Sequence, residues 1–470
     1  MKTECELVIR GGIVINADHT ITADIGIRDG KVVAIGERID AHEIIDATGQ
    51  LVLPGLVDGH VHFREPGFTQ KEDFSTGSRA AAAGGVTTVL DMPNTVPAVA
   101  SVKTFVEKRN LVSRSAYVDF GLFAMLSESS IGEIGALAHE GAAGLKLFMG
   151  ETTGNNACPP DGAIFTGLVE AKKAGLVVGA HAENDSILHY LRDQLRNEGR
   201  TDPIAHLESR PDFVEEEAVQ RFLTMAIAAN ARVHLHHISS RRGLDAAIAA
   251  RARGAQVSVE VLIAHLLLDI AAYDTYGPLI KLNPPIRPTS DRDYLRQALR
   301  PGGSIDSIGS DHAPHVDTEK RGESIWDVAS GFIGVETMLP LLLSEVSNQV
   351  LSMQDVVRLC STRPAEIWNL NNKGRLAVGY DADLVIIDPA EISVIDATQL
   401  HSKYKVTPFD GWKVAGKIVR TVLRGKTVCM QGEIVGLPQG QMVKPVNVRL
   451  ETPTVGESLS ASATSKEASP

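Results

Sequence analysis

Leu56-Val57-Asp58-Gly59-His60-Val61-His62 is a short β-type run that ends on two histidines two residues apart. In an extended chain successive side chains point to opposite faces, so this spacing puts both imidazoles on one face of a strand, within reach of a single cation. By itself the pair reads as well as two histidines that share a face by chance. The chain that follows decides between the two. Comparable runs begin near Val86, Tyr117, Gly144, Leu176, Arg232, Val257 and Ser304, each with room for a helix before the next, and stretches such as 78–83 and 218–229 are rich in Ala and Leu. Strands alternating with helices favour a parallel sheet, and eight such units between Pro54 and about Leu370 predict a closed (β/α)8 TIM barrel.

In such a barrel the carboxyl ends of the strands form one face, where barrel enzymes place their chemistry. Lys146 falls near the end of the fourth predicted strand, His181 ends the fifth, His237 ends the sixth and Asp311 lies just past the eighth. With His60 and His62, six residues able to ligate metal therefore come from five strands to one pocket. Nitrogen ligands with one carboxylate suit zinc, with manganese, iron or cobalt as substitutes, and an open coordination position marks such a site as catalytic. In His234-Leu235-His236-His237, strict alternation puts His234 and His236 on one face and His237 on the other, so one of His236 and His237 must point away. The spacing does not say which.

Both chain ends have a different texture. From Glu6 to about Leu51, β-rich runs such as Leu7-Val8-Ile9-Arg10-Gly11-Gly12 alternate with Gly and Asp turns, and the pattern returns after Gly374 in Asp383-Leu384-Val385-Ile386-Ile387-Asp388 and around 421–428. We expect one small β-sandwich built from both ends, residues 1–53 and 371–445, flanking the barrel at 54–370. Residues 446–470 end in a stretch of Ser, Thr, Ala, Glu and Pro without apolar periodicity and read as a disordered tail.

The bulk properties agree. A chain of 470 residues exceeds what one core usually supports, which fits a large and a small domain, and 43% hydrophobic with 22% charged residues is ordinary for a globular protein. A formal charge of -12 argues against a nucleic-acid surface, and no apolar run is long enough to span a bilayer. Cys5, Cys158, Cys360 and Cys429 lie far apart without a C-x-x-C pair, and the N-terminus has no signal-like apolar core, so a reduced cytoplasmic setting is expected.

The motifs resemble those of the amidohydrolase superfamily and, within it, the dihydroorotases. The series His60-Val61-His62-Phe63-Arg64-Glu65-Pro66-Gly67, Met92-Pro93-Asn94-Thr95, Gly144-Leu145-Lys146-Leu147-Phe148, His181-Ala182-Glu183, His237-Ile238-Ser239-Ser240, Asn283-Pro284-Pro285-Ile286-Arg287 and Asp311-His312-Ala313-Pro314-His315 matches in order over nearly the whole barrel. The resemblance implies two zinc ions: His60, His62 and Asp311 on one, His181 and His237 on the other, and Lys146 bridging both as a carbamate. That places His237 rather than His236 at the metal. It also assigns Arg64, Asn94, Asn283 and His315 to substrate binding, and suggests that the loop from Gly150 to Asn156 closes over substrate with the Thr152 and Thr153 hydroxyls. One departure is Ile263-Ala264, where many relatives carry Pro-His. It bears on substrate contacts, not on the metal ligands, and the neighbouring His265 reads as a buried, hydrogen-bonded core histidine.

The activity so implied is reversible hydrolysis of the ring amide of L-dihydroorotate to N-carbamoyl-L-aspartate, as in pyrimidine biosynthesis. A hydroxide shared by two metals would attack the ring carbonyl, with Asp311 first as general base and then as acid. Allantoinase, hydantoinase and dihydropyrimidinase are rival readings that would share the metal centre. A third is a non-catalytic scaffold for a transcarbamoylase partner; such relatives lose ligands, whereas all six are present here. A homodimer is the expectation for an enzyme of this kind.

Overall fold

The computed structural model describes residues 5–154 and 157–446, so the tail expected at 446–470 and the loop residues Asn155 and Asn156 lie, but for Val446, outside the described residues. Strands β6 (Leu56–Val61), β7 (Val86–Asp91), β8 (Asp119–Met125), β9 (Gly144–Phe148), β10 (Val178–His181), β11 (Arg232–Leu235), β12 (Gln256–Leu262) and β13 (Ser307–Gly309) form an eight-stranded sheet in sequence order. Neighbouring strands are parallel, with helices between most of them. Because both faces are covered, β8 and β9 are buried at every position, which is why they read as continuous apolar runs and not as alternating ones. The seam between β6 and β13 is narrow: His62 N donates to His312 O at 2.8 Å, and the Asp58 carboxylate accepts from Ser310 N at 3.3 Å. The sheet is thus nearly closed into the expected barrel.

Local signals fix the helix ends. Asp73 caps the helix Phe74–Ala83 by accepting from Thr76 N, and Ser101 with Thr104 forms a capping box on Val102–Val112. Gly175 and Asn230, in left-handed conformation, end Asp161–Ala174 and Asp212–Ala229.

The barrel floor is a tryptophan. Trp368 follows the helix Arg363–Ile367 and packs its indole inside the barrel, 4.7 Å from the Phe123 ring, 5.0 Å from His234 and 5.9 Å from His236 by ring centroids. Two strand glycines make the space: a Cβ on Gly144 would come within 2.7 Å of the indole, and one on Gly179 within 2.3 Å of His236 Nε2.

Both chain ends build one sheet, as expected, and it is continuous: nine strands in the order β17 (Glu433–Ile434), β16 (Lys426–Met430), β15 (Lys413–Leu423), β14 (Leu384–Val394), β5 (Leu51–Pro54), β1 (Cys5–Ile15), β2 (Thr20–Arg28), β3 (Lys31–Gly36), with β4 (Ala41–Asp46) also on β1. It curls back on itself, since Val32 N donates to Tyr380 O and Ala382 N to Gly30 O, which joins the start of β3 to the segment leading into β14. The curl encloses a separate core of Ile9, Ile25, Val32, Leu384, Ile386 and Val422. Residues 440–445, grouped with this sheet in the sequence, run along the barrel, where Phe120 N bonds Gln441 O and Val443 N bonds Phe120 O. Lys373 joins the two parts: buried, it donates to Asp119 on β8 and to Asp383 at 2.6 Å each, and to Asp381 at 2.9 Å, while Arg424 also pairs with Asp119. None of the helices among the described residues is long and apolar enough to cross a membrane.

Candidate metal centre

The six candidate ligands line one pocket at the carboxyl end of the barrel, together with Arg64, Asn94, Thr152, Thr153 and Asn283. His60 is the penultimate residue of β6 and His62 follows that strand, and both point their Nε2 atoms at Asp311 Oδ1, at 3.4 and 3.2 Å. Their other nitrogens are taken: His60 Nδ1 is 2.8 Å from Glu260 Oε1, and His62 Nδ1 is 2.9 Å from Asn94 Oδ1. An oxygen acceptor at each Nδ1 assigns the proton there, so each Nε2 presents a lone pair to the Asp311 carboxylate. Three acceptors facing one another at this distance repel, unless a cation lies between them. Burial lowers the pKa of both imidazoles, which keeps them in the neutral form a metal requires.

The second group has the same construction. His181 Nε2 lies 2.9 Å from Glu183 Oε2, which leaves Nδ1 directed at His237 Nε2, 3.0 Å away. A histidine oriented by a carboxylate on its far nitrogen is the usual support of a metal ligand. Burial would raise Glu183, but Arg210 outweighs it and holds the carboxyl at about 2, so the supporting charge is permanent.

Lys146 lies between the groups. Its Nζ is buried and has no hydrogen-bond partner among the described residues, and burial, opposed by Asp311 and Glu260, brings its pKa down to about 7. A buried ammonium without an acceptor is costly, so the amine is poised to be neutral or modified. For Asp311, burial favours the protonated form, yet the neighbouring His60, His62 and Lys146 side chains outweigh it and its pKa is lowered. The donor set of imidazoles, one carboxylate and an orphaned amine therefore fits divalent metal.

The structure corrects one expectation. His236 and His237 both point into the barrel: His236 reaches Glu260 Oε1 at 3.3 Å while His237 faces His181. Alternation fails because β11 stops at Leu235 and His237 has φ of 40°, a left-handed turn that swings its ring back inward. Arg64 and Asp311, at φ of 63° and 45°, are likewise left-handed, and such conformations concentrate at functional sites.

Glu260 was not singled out by the sequence. Its carboxylate is buried on β12 under His60, His236 and the backbone N of His237, and His236 and His234 hold its pKa down against burial. A charged residue alternating with Val257, Val259 and Val261 was the available signal.

The other candidates divide. Arg64 is buried at the pocket wall, donates to Pro314 O at 3.2 Å and faces His315 Nε2 at 3.2 Å, with no carboxylate in ion-pair range among the described residues. Glu65 and Glu72 are engaged elsewhere, by Phe74 N and Thr76. His315 lies behind Arg64, between Glu319 and Ser330 O, and does not reach the metal pocket. Asn94 and Asn283 do line it; Asn94 also holds the roof by donating to Thr153 O at 2.9 Å. That roof, residues 150–154, is pinned further by Arg192 on the Glu151 carboxylate and Arg210 on its carbonyl. Ala264 and His265 are buried away from the pocket, and His265 donates to Pro284 O at 3.1 Å.

Residues 51–428 match the amidohydrolase family model. The chain is 40% identical to a protein named dihydroorotase from Methanothermobacter thermautotrophicus, covering 89% of this chain and 93% of that one. It is 36% identical to an allantoinase from Solibacter usitatus, over 94% and 97% of the two chains. The solved L-hydantoinase (dihydropyrimidinase) from Arthrobacter aurescens superposes with a TM-score of 0.91 at 33% identity, covering 94% of this chain and all of that one. The nearly closed barrel, the converging ligands and these matches lead to one conclusion: the chain belongs to the amidohydrolase family, among relatives that act on cyclic amides.

Proposed function

We propose that the chain is a dihydroorotase, which opens the ring amide of L-dihydroorotate to N-carbamoyl-L-aspartate and closes it again in pyrimidine synthesis. The observation that carries this reading is Arg64, a buried guanidinium at the pocket wall with no carboxylate partner among the described residues. Leaving such a charge unpaired is expensive, and a substrate carboxylate would neutralise it. Dihydroorotate has an exocyclic carboxylate; allantoin, hydantoin and dihydrouracil do not.

His60, His62 and Asp311 would hold one divalent ion and His181 and His237 a second, zinc being the first choice for this donor set. Bound there, such ions acidify water and polarise a carbonyl. Lys146 would join the two positions as a carbamate: its neutral amine adds to carbon dioxide, an N–C bond forms, one proton leaves to solvent, and one negative charge results, shared by two oxygens. Asp311, ionised at neutral pH, takes the proton of the attacking water and returns it to the departing ring nitrogen. Arg64 and Asn283 orient the ring. Thr152 and Thr153, in the roof of the pocket, would face a substrate bound there.

The test is turnover of dihydroorotate, allantoin, hydantoin and dihydrouracil by metal-loaded enzyme. Dihydroorotate should be preferred by a large factor. Efficient opening of allantoin or dihydrouracil without dihydroorotate activity would overturn the substrate and leave the cyclic amidase standing.

A further inference from the structure

A second cavity, of about 370 Å³, adjoins the metal pocket and shares Thr152, Thr153, Asn283 and Ser330 with it. Five cationic side chains line it, Lys71, Arg192, Arg196, Arg210 and Lys281, against one carboxylate, Glu151. Three of the cations already have partners: Lys71 has Glu319 at 2.9 Å, Arg192 has Glu151 at 2.5 Å, and Arg210 has Glu183. Lys281 and Arg196 have no carboxylate in ion-pair range among the described residues. Lys281 is the more telling. It is buried, and its ammonium donates to two carbonyls, Ile325 O and Val328 O, both at 2.6 Å, which leaves one N–H uncommitted. Behind it Lys320, also buried, has Ala329 O at 2.8 Å as its one acceptor among the described residues. Burial brings Lys281 down to about 8 and Lys320 to about 7, and neither has a carboxylate in ion-pair range among the described residues, a counter-charge that a ligand would provide.

We propose that this cavity is a staging site for the open-chain carboxylate, an N-carbamoyl amino acid anion, on its way between the metal centre and solvent. The inference rests on the cyclic amidase reading but not on which ring is cut. Hydrolysis of any ring amide breaks the C–N bond, places the water oxygen on the acyl carbon and one proton on the leaving nitrogen, and the new carboxyl ionises by losing a proton to solvent. Every such product thus carries one more negative charge than its ring. A basic chamber next to the centre favours the product anion over the ring, and in the closing direction gathers the anion that must enter.

The experiment is product inhibition of ring opening by the matching open-chain species, in metal-loaded wild type, Lys281→Gln, Arg196→Gln and the double variant. Lys281→Gln should raise the inhibition constant about tenfold, the loss expected for one charge-assisted hydrogen bond, and Arg196→Gln about twofold to threefold because it is exposed. KM for the ring should change by no more than about twofold in both. Because Lys281 also ties down two loop carbonyls, the Arg196→Gln and double variants separate charge from loop damage, as does recovery in Lys281→Arg. Unchanged inhibition in the double variant, or an equal rise in ring KM, would overturn the proposal. Should wild type open none of the four rings, the proposed function falls, and calorimetric binding of N-carbamoyl-L-aspartate to wild type and double variant still decides the cavity: equal affinity sinks it, and weaker binding by the double variant supports it.

Discussion

Lys146 and Lys373 are both buried in the same barrel, at opposite ends. Lys373 donates to Asp119, Asp381 and Asp383, and although burial opposes its charge, those carboxylates raise its pKa. Lys146 has no acceptor among the described residues, and its pKa falls to about 7. Three aspartates alone would also make a plausible cation site, and geometry by itself admits one there. The difference is that the lower cluster carries its own cation, while at the upper one three acceptors face one another and the lysine among them has no acceptor among the described residues. A satisfied buried charge marks a structural lock, and an unsatisfied one marks a centre completed from outside.

That contrast can be broken by substitution. Lys146→Ala should lose about three orders of magnitude or more in turnover, with metal content falling from near two equivalents per chain, and added formate or acetate should restore part of the rate. Normal turnover would remove Lys146 from the centre. Stability should move the other way. In metal-free, carbon-dioxide-free protein Lys146 is depressed below its unfolded value near ~10.4, so between the two values the unfolded chain holds the extra proton and stability rises with pH. Lys146→Ala should therefore be the more stable protein at and below about pH 7, with the advantage fading as pH approaches 10. A constant difference across that range would contradict the depressed pKa.

Lys373→Met should do the reverse: a stability loss of about 3–5 kcal/mol in denaturant titrations, since it strands buried carboxylates, with turnover per folded molecule nearly unchanged. A large loss of turnover in fully folded Lys373→Met would mean that the lower cluster is more than a lock. Arg64→Ala should cost roughly two orders of magnitude in kcat/KM for dihydroorotate, about 3 kcal/mol, at constant metal content. The smallest effect is expected from Glu260→Gln, which keeps the shape but weakens the acceptor under His60 Nδ1: about 10- to 100-fold in metal affinity or turnover. If metal affinity and turnover both stay at wild-type level, Glu260 is packing and not support.

Much of this was legible in one dimension. The spacing of His60 and His62 follows from the two-residue period of a strand, and the strand-end positions of Lys146, His181 and Asp311 follow from counting strands. The curled sheet of both chain ends was visible in its turn-punctuated β-runs. His315 shows the limit: four residues past Asp311 in the sequence, it sits one layer behind Arg64, because the chain turns away after Pro314 and packs against Glu319 and Ser330.

The sequence by itself determined which residue types reach the carboxyl end of the barrel, since periodicity fixes the face of a strand and element order fixes the end. Tertiary structure alone decided who meets whom. Glu260 lies 200 positions from His60 and becomes its partner only through the register of the barrel. Trp368 becomes the floor only because Gly144 and Gly179 leave room for it. His237 joins His236 inside because a single left-handed residue ends the alternation that the sequence pattern assumes. Local pattern carries direction along one strand; closure of the barrel, a long-range property, sets the contacts between strands.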